Sequence, residues 1–384
     1  NNMSSRSQSY IWDISIFINS SLLFHWYFHL SKKPKLYTSQ AATSQAATSL
    51  SSTHTIQHLI SQCPSLHHTF YPSIFLFNPH IQLIAFVLYN EYNNLFPPYK
   101  WMMESITMDD GETMYLDWVN TIPNFSHSDT TPILLIHHGA FSHSRDLPGQ
   151  CYIGEALRRG WIVCALNRRG HYGKLTKPKF NLFGCTNDTR SIVENNIKAR
   201  RPNSRVFMIG ISAGSAVVAR YMGEQGLHRK SEATPILGFC DAAVGVSPAY
   251  NIEVCMSRLK MPYSAKLLSS AKRFHLEGNK EILEPCVSYS KCANTSDLQS
   301  WIEHSWSMAG FSSQEEYFEY SNPMRVCSHI LEPCLFINAE DDPVSVVENV
   351  YENLHIFETG ACGAALALTK TGSHCSFLGL GMTS

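Results

Sequence analysis

Gly210-Ile211-Ser212-Ala213-Gly214 stands between the apolar run Val206-Phe207-Met208-Ile209 and a second one, Ala216-Val217-Val218-Ala219-Arg220-Tyr221-Met222. The first run has the length of a buried strand, and the second reads as a helix. A serine on so tight a strand-to-helix turn is pushed out of its sheet. Glycines on either side of it leave room for the close backbone packing such a turn needs. The pentapeptide alone is common. In this setting it predicts a nucleophile elbow with Ser212 at its tip; the plainer alternative is a serine that merely ends a strand.

A serine hydroxyl is a poor nucleophile at neutral pH, so it needs a base, and the base needs an orienting acid. On α/β-hydrolase sheets the chain order is serine, acid, histidine. Downstream, the strand pattern Cys334-Leu335-Phe336-Ile337-Asn338 runs into Ala339-Glu340-Asp341-Asp342-Pro343. A carboxylate just past a strand lies at the sheet's carboxyl edge, where open α/β folds bind ligands. Asp342, directly before the proline, is the predicted acid, with Asp341 and Glu340 as rivals that a solvated loop would also explain. A last apolar strand, Ala364-Ala365-Leu366-Ala367-Leu368-Thr369, leads to Lys370-Thr371-Gly372-Ser373-His374. His374 is thereby singled out among 18 histidines. His25, His29, His67 and His68 have no such context and read as surface or interfacial residues.

Acyl transfer also needs donors for an oxyanion. The N–H of Ala213, after the nucleophile, is one candidate. The other comes from a loop after an earlier strand. Thr131-Pro132-Ile133-Leu134-Leu135-Ile136-His137-His138-Gly139-Ala140 supplies that strand and loop, with Ala140 N–H as the donor and Phe141 as its alternative. The pair His137-His138 suggests a metal site, but adjacent side chains on a strand point to opposite faces. No cluster of ligand spacing accompanies them, so neither metal nor cofactor is expected.

The chain of 384 residues is 44% hydrophobic with net charge −1. That suits one large α/β domain and argues against nucleic acid, since no Lys/Arg run makes a basic groove. The 12 cysteines are scattered, and Cys164, Cys240 and Cys334 fall inside apolar runs as buried reduced thiols would. Strands are predicted at 133–137, 162–166, 205–210, 237–246, 334–338 and 364–369. A helix is predicted from Asp188 to Ala199, capped by Thr186 or Asp188. This alternation predicts a mostly parallel, doubly wound sheet.

A long insertion at about 249–328 is expected to form a helical cap. Its aromatic and methionine side chains, among them Met256, Tyr263, Trp301, Met308, Tyr317 and Phe318, read mostly as the helices' own core and otherwise as the lining of an acyl pocket. Residues 1–55 form an N-terminal extension preceding the 56–384 domain. Residues 14–30 are apolar and near the length of a membrane helix, although an amphipathic or disordered segment fits as well. Lys32, Lys33 and Lys35 outnumber Arg6, which orients the catalytic domain toward the cytosol. The repeat Ser39-Gln40-Ala41-Ala42-Thr43, Ser44-Gln45-Ala46-Ala47-Thr48 has the composition of a linker.

With these residues placed, the chain resembles the abhydrolase-domain lipases of the AB-hydrolase 4 group, the YheT-like branch. The resemblance runs over roughly 60–384. It takes in Cys63-Pro64-Ser65-Leu66, Phe77-Asn78-Pro79-His80-Ile81-Gln82, Asp110-Gly111, Leu116-Asp117-Trp118 and His138-Gly139. It continues through Leu166-Asn167-Arg168-Arg169-Gly170, the Ser212 elbow, Asn338-Ala339-Glu340-Asp341-Asp342-Pro343 and Gly372-Ser373-His374. It implies an α/β-hydrolase fold with a serine-histidine-aspartate triad and, as in several members, an N-terminal membrane anchor. Pro79 stands where the family usually has glycine, Ala213 where it often has leucine, and the Gly139 loop lacks the usual continuation. The chain opens on Asn1 and ends ten residues after His374, where the family has a longer closing helix. The expectation is therefore a sequence incomplete at its ends, with weaker packing around the His374 loop.

The expected activity is hydrolysis of carboxylic esters of lipids, of monoacylglycerol or phospholipid type, by a membrane-associated enzyme. Acyl transfer to an alcohol uses the same acyl-enzyme and stays open. A non-catalytic lipid- or steroid-binding α/β-hydrolase is the third possibility.

Overall fold

The computed structural model describes residues 24–39, 55–146, 151–230, 239–360 and 363–379. Nine strands form one sheet: β1 (Lys35–Thr38), β2 (Trp101–Thr107), β3 (Thr113–Val119), β4 (Ile133–His137), β5 (Ile162–Asn167), β6 (Val206–Ile211), β7 (Ala242–Val246), β8 (Cys334–Ala339) and β9 (Ala364–Thr369). Their order is β1-β9-β8-β7-β6-β4-β5-β3-β2. The six central strands pair in parallel, while β1, β3 and β2 join antiparallel at the edges. Every residue of β4 and of β9 is buried. Helices on both faces account for this, and for the continuous apolar runs by which the sequence announces these strands. Helix Cys151–Arg158 packs Ile153 and Ala156 against Leu134, Ile136, Val163 and Ile209 on one face. Helix Ala213–Lys230 and the turns at Ile192–Lys198 cover the other face through Val193, Ile197, Val218, Tyr221 and Met222. This is the α/β-hydrolase fold.

The expected central strands are present with shifts of a residue or less, except that the fourth begins at Ala242 rather than 237. Residues 237 and 238 lie outside the described residues, and 239–241 are not part of the strand, although Asp241 N–H donates to the Val206 carbonyl at 2.8 Å. The helix after Thr186 forms at Asn187–Ser191, but neither candidate caps it with its side chain. The Asp188 carboxylate is instead committed to Arg169, at 2.8 Å.

The β2–β3 hairpin was absent from the expected strands, although Asp110-Gly111 marks its turn, with Gly111 at φ +82°. Its strand signal is blurred because β2 lies at the sheet edge and exposes Met102 and Met103. The boundary drawn at residue 55 also needs correction. Lys35–Thr38, inside the supposed extension, is the edge strand beside β9. Lys35 pairs with Glu340 at 2.6 Å, so this lysine is tied to the domain. Four half-exposed residues carry too little pattern to be recognised as a strand. Of the apolar segment 14–30, residues 14–23 lie outside the described residues. Among the described residues no helix is long and apolar enough to cross a membrane.

Between β7 and β8 the chain forms the helices Ile252–Ser257, Tyr263–Ala271, Lys280–Leu283, Tyr289–Asn294, Leu298–His304 and Gln314–Ser321. Met308, Tyr317 and Phe318 are buried in their shared core. Trp301 belongs to the same core, Met256, Tyr263 and Leu267 pack against it, and all four also border a cavity. The cysteines Cys164, Cys240 and Cys334 are fully buried, and the described cysteines are free thiols.

Candidate active site

β6 ends at Ile211, Ser212 follows with φ +53°, and Ala213 opens the next helix. A serine in the left-handed region costs of order 1–3 kcal/mol and persists only when its surroundings hold it. Here its N–H donates to the Val246 carbonyl at 2.9 Å, and its carbonyl accepts from Ser215 N–H at 2.9 Å. Both flanking glycines are needed for space. A Cβ on Gly214 would stand 2.2 Å from the His137 carbonyl oxygen, and one on Gly210 2.4 Å from that of Gly214. These neighbours are backbone and cannot swing aside. Gly214→Ala is expected to cost at least about 1–3 kcal/mol, read as a lowered midpoint in thermal unfolding together with lost activity. An unchanged melting curve would mean that the elbow is looser than this.

The three residues expected to act together converge at the carboxyl ends of β6, β8 and β9. His374 Nε2 is 2.8 Å from Ser212 Oγ, and His374 Nδ1 is 2.8 and 3.1 Å from the two oxygens of Asp342. With the serine hydroxyl donating to Nε2, Nδ1 carries the proton that it donates to Asp342. The Asp342 carboxylate is itself fixed by the N–H groups of Val344 (2.7 Å) and Ser345 (2.8 Å).

The rivals have other duties. Glu340 sits between Lys35 and Lys370 at the surface. Asp341 accepts the Ser373 N–H at 2.9 Å and so shapes the loop that presents His374. Burial pushes Asp341 up to about 6, against that hydrogen bond and helped by the charge of Asp342.

Several supports of the histidine loop escaped the sequence reading. Ser373 Oγ donates to the Pro79 carbonyl at 2.7 Å, and Ser247 Oγ accepts Cys375 N–H at 3.1 Å. Pro79 occupies the first turn of helix Pro79–Leu95, where its missing N–H costs nothing, and Asn78 caps that helix through His80 N–H. The contacts join residues 294 and 128 positions apart, and no local pattern signals them.

The loop after β4 brings Gly139 against the elbow, where a Cβ would lie 3.6 Å from that of Ser212. Ala140 and Phe141 follow on the wall of the same cavity, Phe141 with φ +54°. That cavity, about 590 Å³, opens from Ser212 and His374 between helix Pro79–Leu95 and the cap. Phe86, Leu182, Phe183, Leu267, Leu298 and Trp301 give it a mainly apolar lining.

His137 and His138 diverge as neighbours on a strand must. His137 lies in the core without a hydrogen-bond partner among the described residues, and burial draws it down to about 3. His138 is hydrogen-bonded to backbone. Among the described residues no group of three or more His, Cys, Asp or Glu could hold a metal ion. His25 stacks on His29, and His67 bonds to the Ile60 carbonyl, in keeping with roles away from the site.

Burial by itself would pull His374 down. The Asp342 carboxylate, with Cys375 adding in the same direction, outweighs it and holds the imidazole well above its usual range. A general base must be neutral, so kcat/KM is expected to rise with pH through a limb above 6.5, the ordinary histidine value. Asp342→Asn should move the limb down. A limb at or below 6.5 in the wild type would contradict the ion pair.

The Hydrolase_4 family model, described as serine aminopeptidase S33, matches residues 128–355. Over 302 residues the chain is 24% identical to monoacylglycerol lipase ABHD2 of Mus musculus, covering 74% of this chain and 69% of that protein. It is 27% identical over 237 residues to a monoacylglycerol lipase of Saccharomyces cerevisiae, covering 58% and 50%. Phospholipase ABHD3 of Mus musculus is 22% identical over 335 residues, covering 83% and 76%.

Proposed function

Because the chain belongs to the Hydrolase_4 family, serine aminopeptidase S33, of α/β-hydrolases, we propose that it is a serine hydrolase cleaving carboxylic esters of lipids, of monoacylglycerol or phospholipid type. One observation carries the reading: the Ser212 hydroxyl, hydrogen-bonded to His374 at 2.8 Å, opens into an apolar cavity large enough for an acyl chain. The names of the relatives support the substrate class. Ser212 Oγ attacks the ester carbonyl while its proton passes to His374 Nε2. Asp342 stabilises the imidazolium, and the N–H groups of Ala213 and Ala140 receive the oxyanion. As the carbonyl re-forms, the alkoxide leaves with the proton from His374. Water then adds to the acyl-enzyme by the same route, releasing the fatty acid and restoring the serine.

The proposal extends to membrane association through residues 14–30, with the catalytic domain facing the cytosol. A fluorophosphonate probe followed by a panel of monoacylglycerol, phospholipid and short-chain esters tests the activity. Labelling and release of fatty acid from at least one lipid ester are expected. A folded wild type that neither labels nor turns over any ester would overturn it.

A further inference from the structure

β5 ends at Asn167 and the chain turns through Arg168-Arg169-Gly170; the three consecutive polar side chains of Asn167, Arg168 and Arg169 are all buried. Two have ordinary partners. Asn167 accepts Ser144 N–H at 2.8 Å and donates to Asp117 at 3.1 Å, and Arg169 pairs with Asp110 and Asp188. Arg168 has no carboxylate partner among the described residues. Its guanidinium is buried and donates to two backbone carbonyls, from Nη1 to His138 (2.7 Å) and from Nη2 to Gly139 (2.8 Å). Keeping a cation buried on neutral acceptors is costly, and a neutral side chain would fill the space without that cost. Burial draws Arg168 down to about 9, which still leaves it charged at neutral pH.

His138 adds a second lock. Its Nε2 accepts the Arg168 N–H at 3.2 Å, so in the neutral ring the proton sits on Nδ1, which donates to the Gly139 carbonyl at 2.8 Å. Burial and the charge of Arg168 keep that imidazole neutral. Gly139 oxygen therefore receives two donors. In a planar trans peptide the carbonyl and the next N–H point in opposite directions. Fixing the Gly139 carbonyl on Arg168 thus directs Ala140 N–H away from Arg168, on a loop that packs against Ser212.

We propose that Arg168 is the positioning residue of the oxyanion hole, holding the 139–140 peptide in the one orientation that presents Ala140 N–H to the reacting carbonyl. This rests on the acyl-enzyme reading above. Without the guanidinium the peptide can turn, and a carbonyl oxygen then faces the developing negative charge. The loss falls on the tetrahedral state and spares the bound ester.

The test compares wild type, Arg168→Met and Arg168→Lys in the full chain. The readouts are kcat and KM on a short-chain p-nitrophenyl ester, affinity for an alkyl boronic acid, and thermal unfolding. The boronic acid forms a tetrahedral adduct on Ser212 and so senses the hole directly. For folded Arg168→Met, kcat is expected to fall about 10²–10³-fold, as for loss of one oxyanion donor. Boronate affinity should fall by a similar factor, with KM within threefold. Lysine keeps the charge but lacks the fork, so Arg168→Lys should lie between.

If Arg168→Met does not fold, the parallel loss of kcat and boronate affinity is read from Arg168→Lys. A folded variant with both quantities within threefold of wild type overturns the proposal, as does a fall in kcat with boronate affinity unchanged. Failure of the underlying reading looks different: wild type itself would not bind the boronate, or Ser212→Ala would remain active.

Discussion

Ser212→Ala is expected to lower turnover by about 10⁴–10⁶-fold while leaving the fold intact. In the proposed mechanism the hydroxyl is the atom that bonds to the ester carbonyl, and alanine offers no nucleophile in its place. What remains is catalysis by the oxyanion donors and by binding. The fold should survive because the strained turn is held by backbone bonds, from Ser212 N–H to Val246 and from Ser215 N–H to Ser212. Alanine keeps both and removes only Oγ. The measurement is kcat beside fluorophosphonate labelling and a melting curve. Lost labelling with an unchanged melt is the expected pattern; turnover within tenfold of wild type in folded protein would remove Ser212 from the reaction.

Asp342→Asn is expected to lower kcat by about 10⁴-fold, whereas Asp341→Asn should cost no more than about tenfold. The side chains differ by one position and the effects by orders of magnitude, because each faces a different partner. The Asp342 carboxylate accepts the His374 Nδ1–H hydrogen bond at 2.8 Å. An amide there offers the imidazole a donor as readily as an acceptor, which favours the tautomer that cannot take the serine proton. Asp341 accepts backbone N–H groups, that of Ser373 at 2.9 Å, and the amide oxygen of asparagine still accepts such a bond. Parallel kinetics of the two variants decide the assignment, and equal losses would show that the loop acts as a unit.

Much of this arrangement was legible in one dimension. Strands β4 to β9 are covered on both faces, so burial writes them as continuous apolar runs, and the residues that follow three of them are Ser212, Asp342 and His374. Glycine at 210 and 214 carried the elbow, since a side chain at either position would strike backbone. Edge strands β1 and β2 were not legible. Each is half exposed, and a strand bordered by solvent need not repeat an apolar pattern.

What the sequence by itself determined is the doubly wound sheet, the chain order of Ser212, Asp342 and His374, and the loops that present them, because these follow from local periodicity and from where a strand ends. The separate partners of Asp341 and Asp342, the cavity wall shared by helix Pro79–Leu95 and the cap, the hold of Pro79 on the His374 loop, and the grip of Arg168 on the His138 and Gly139 carbonyls were decided only by the tertiary structure. Each depends on atoms 29 to 294 positions apart in the chain. Their approach is set by how layers pack, and no neighbouring residue in the sequence carries that information.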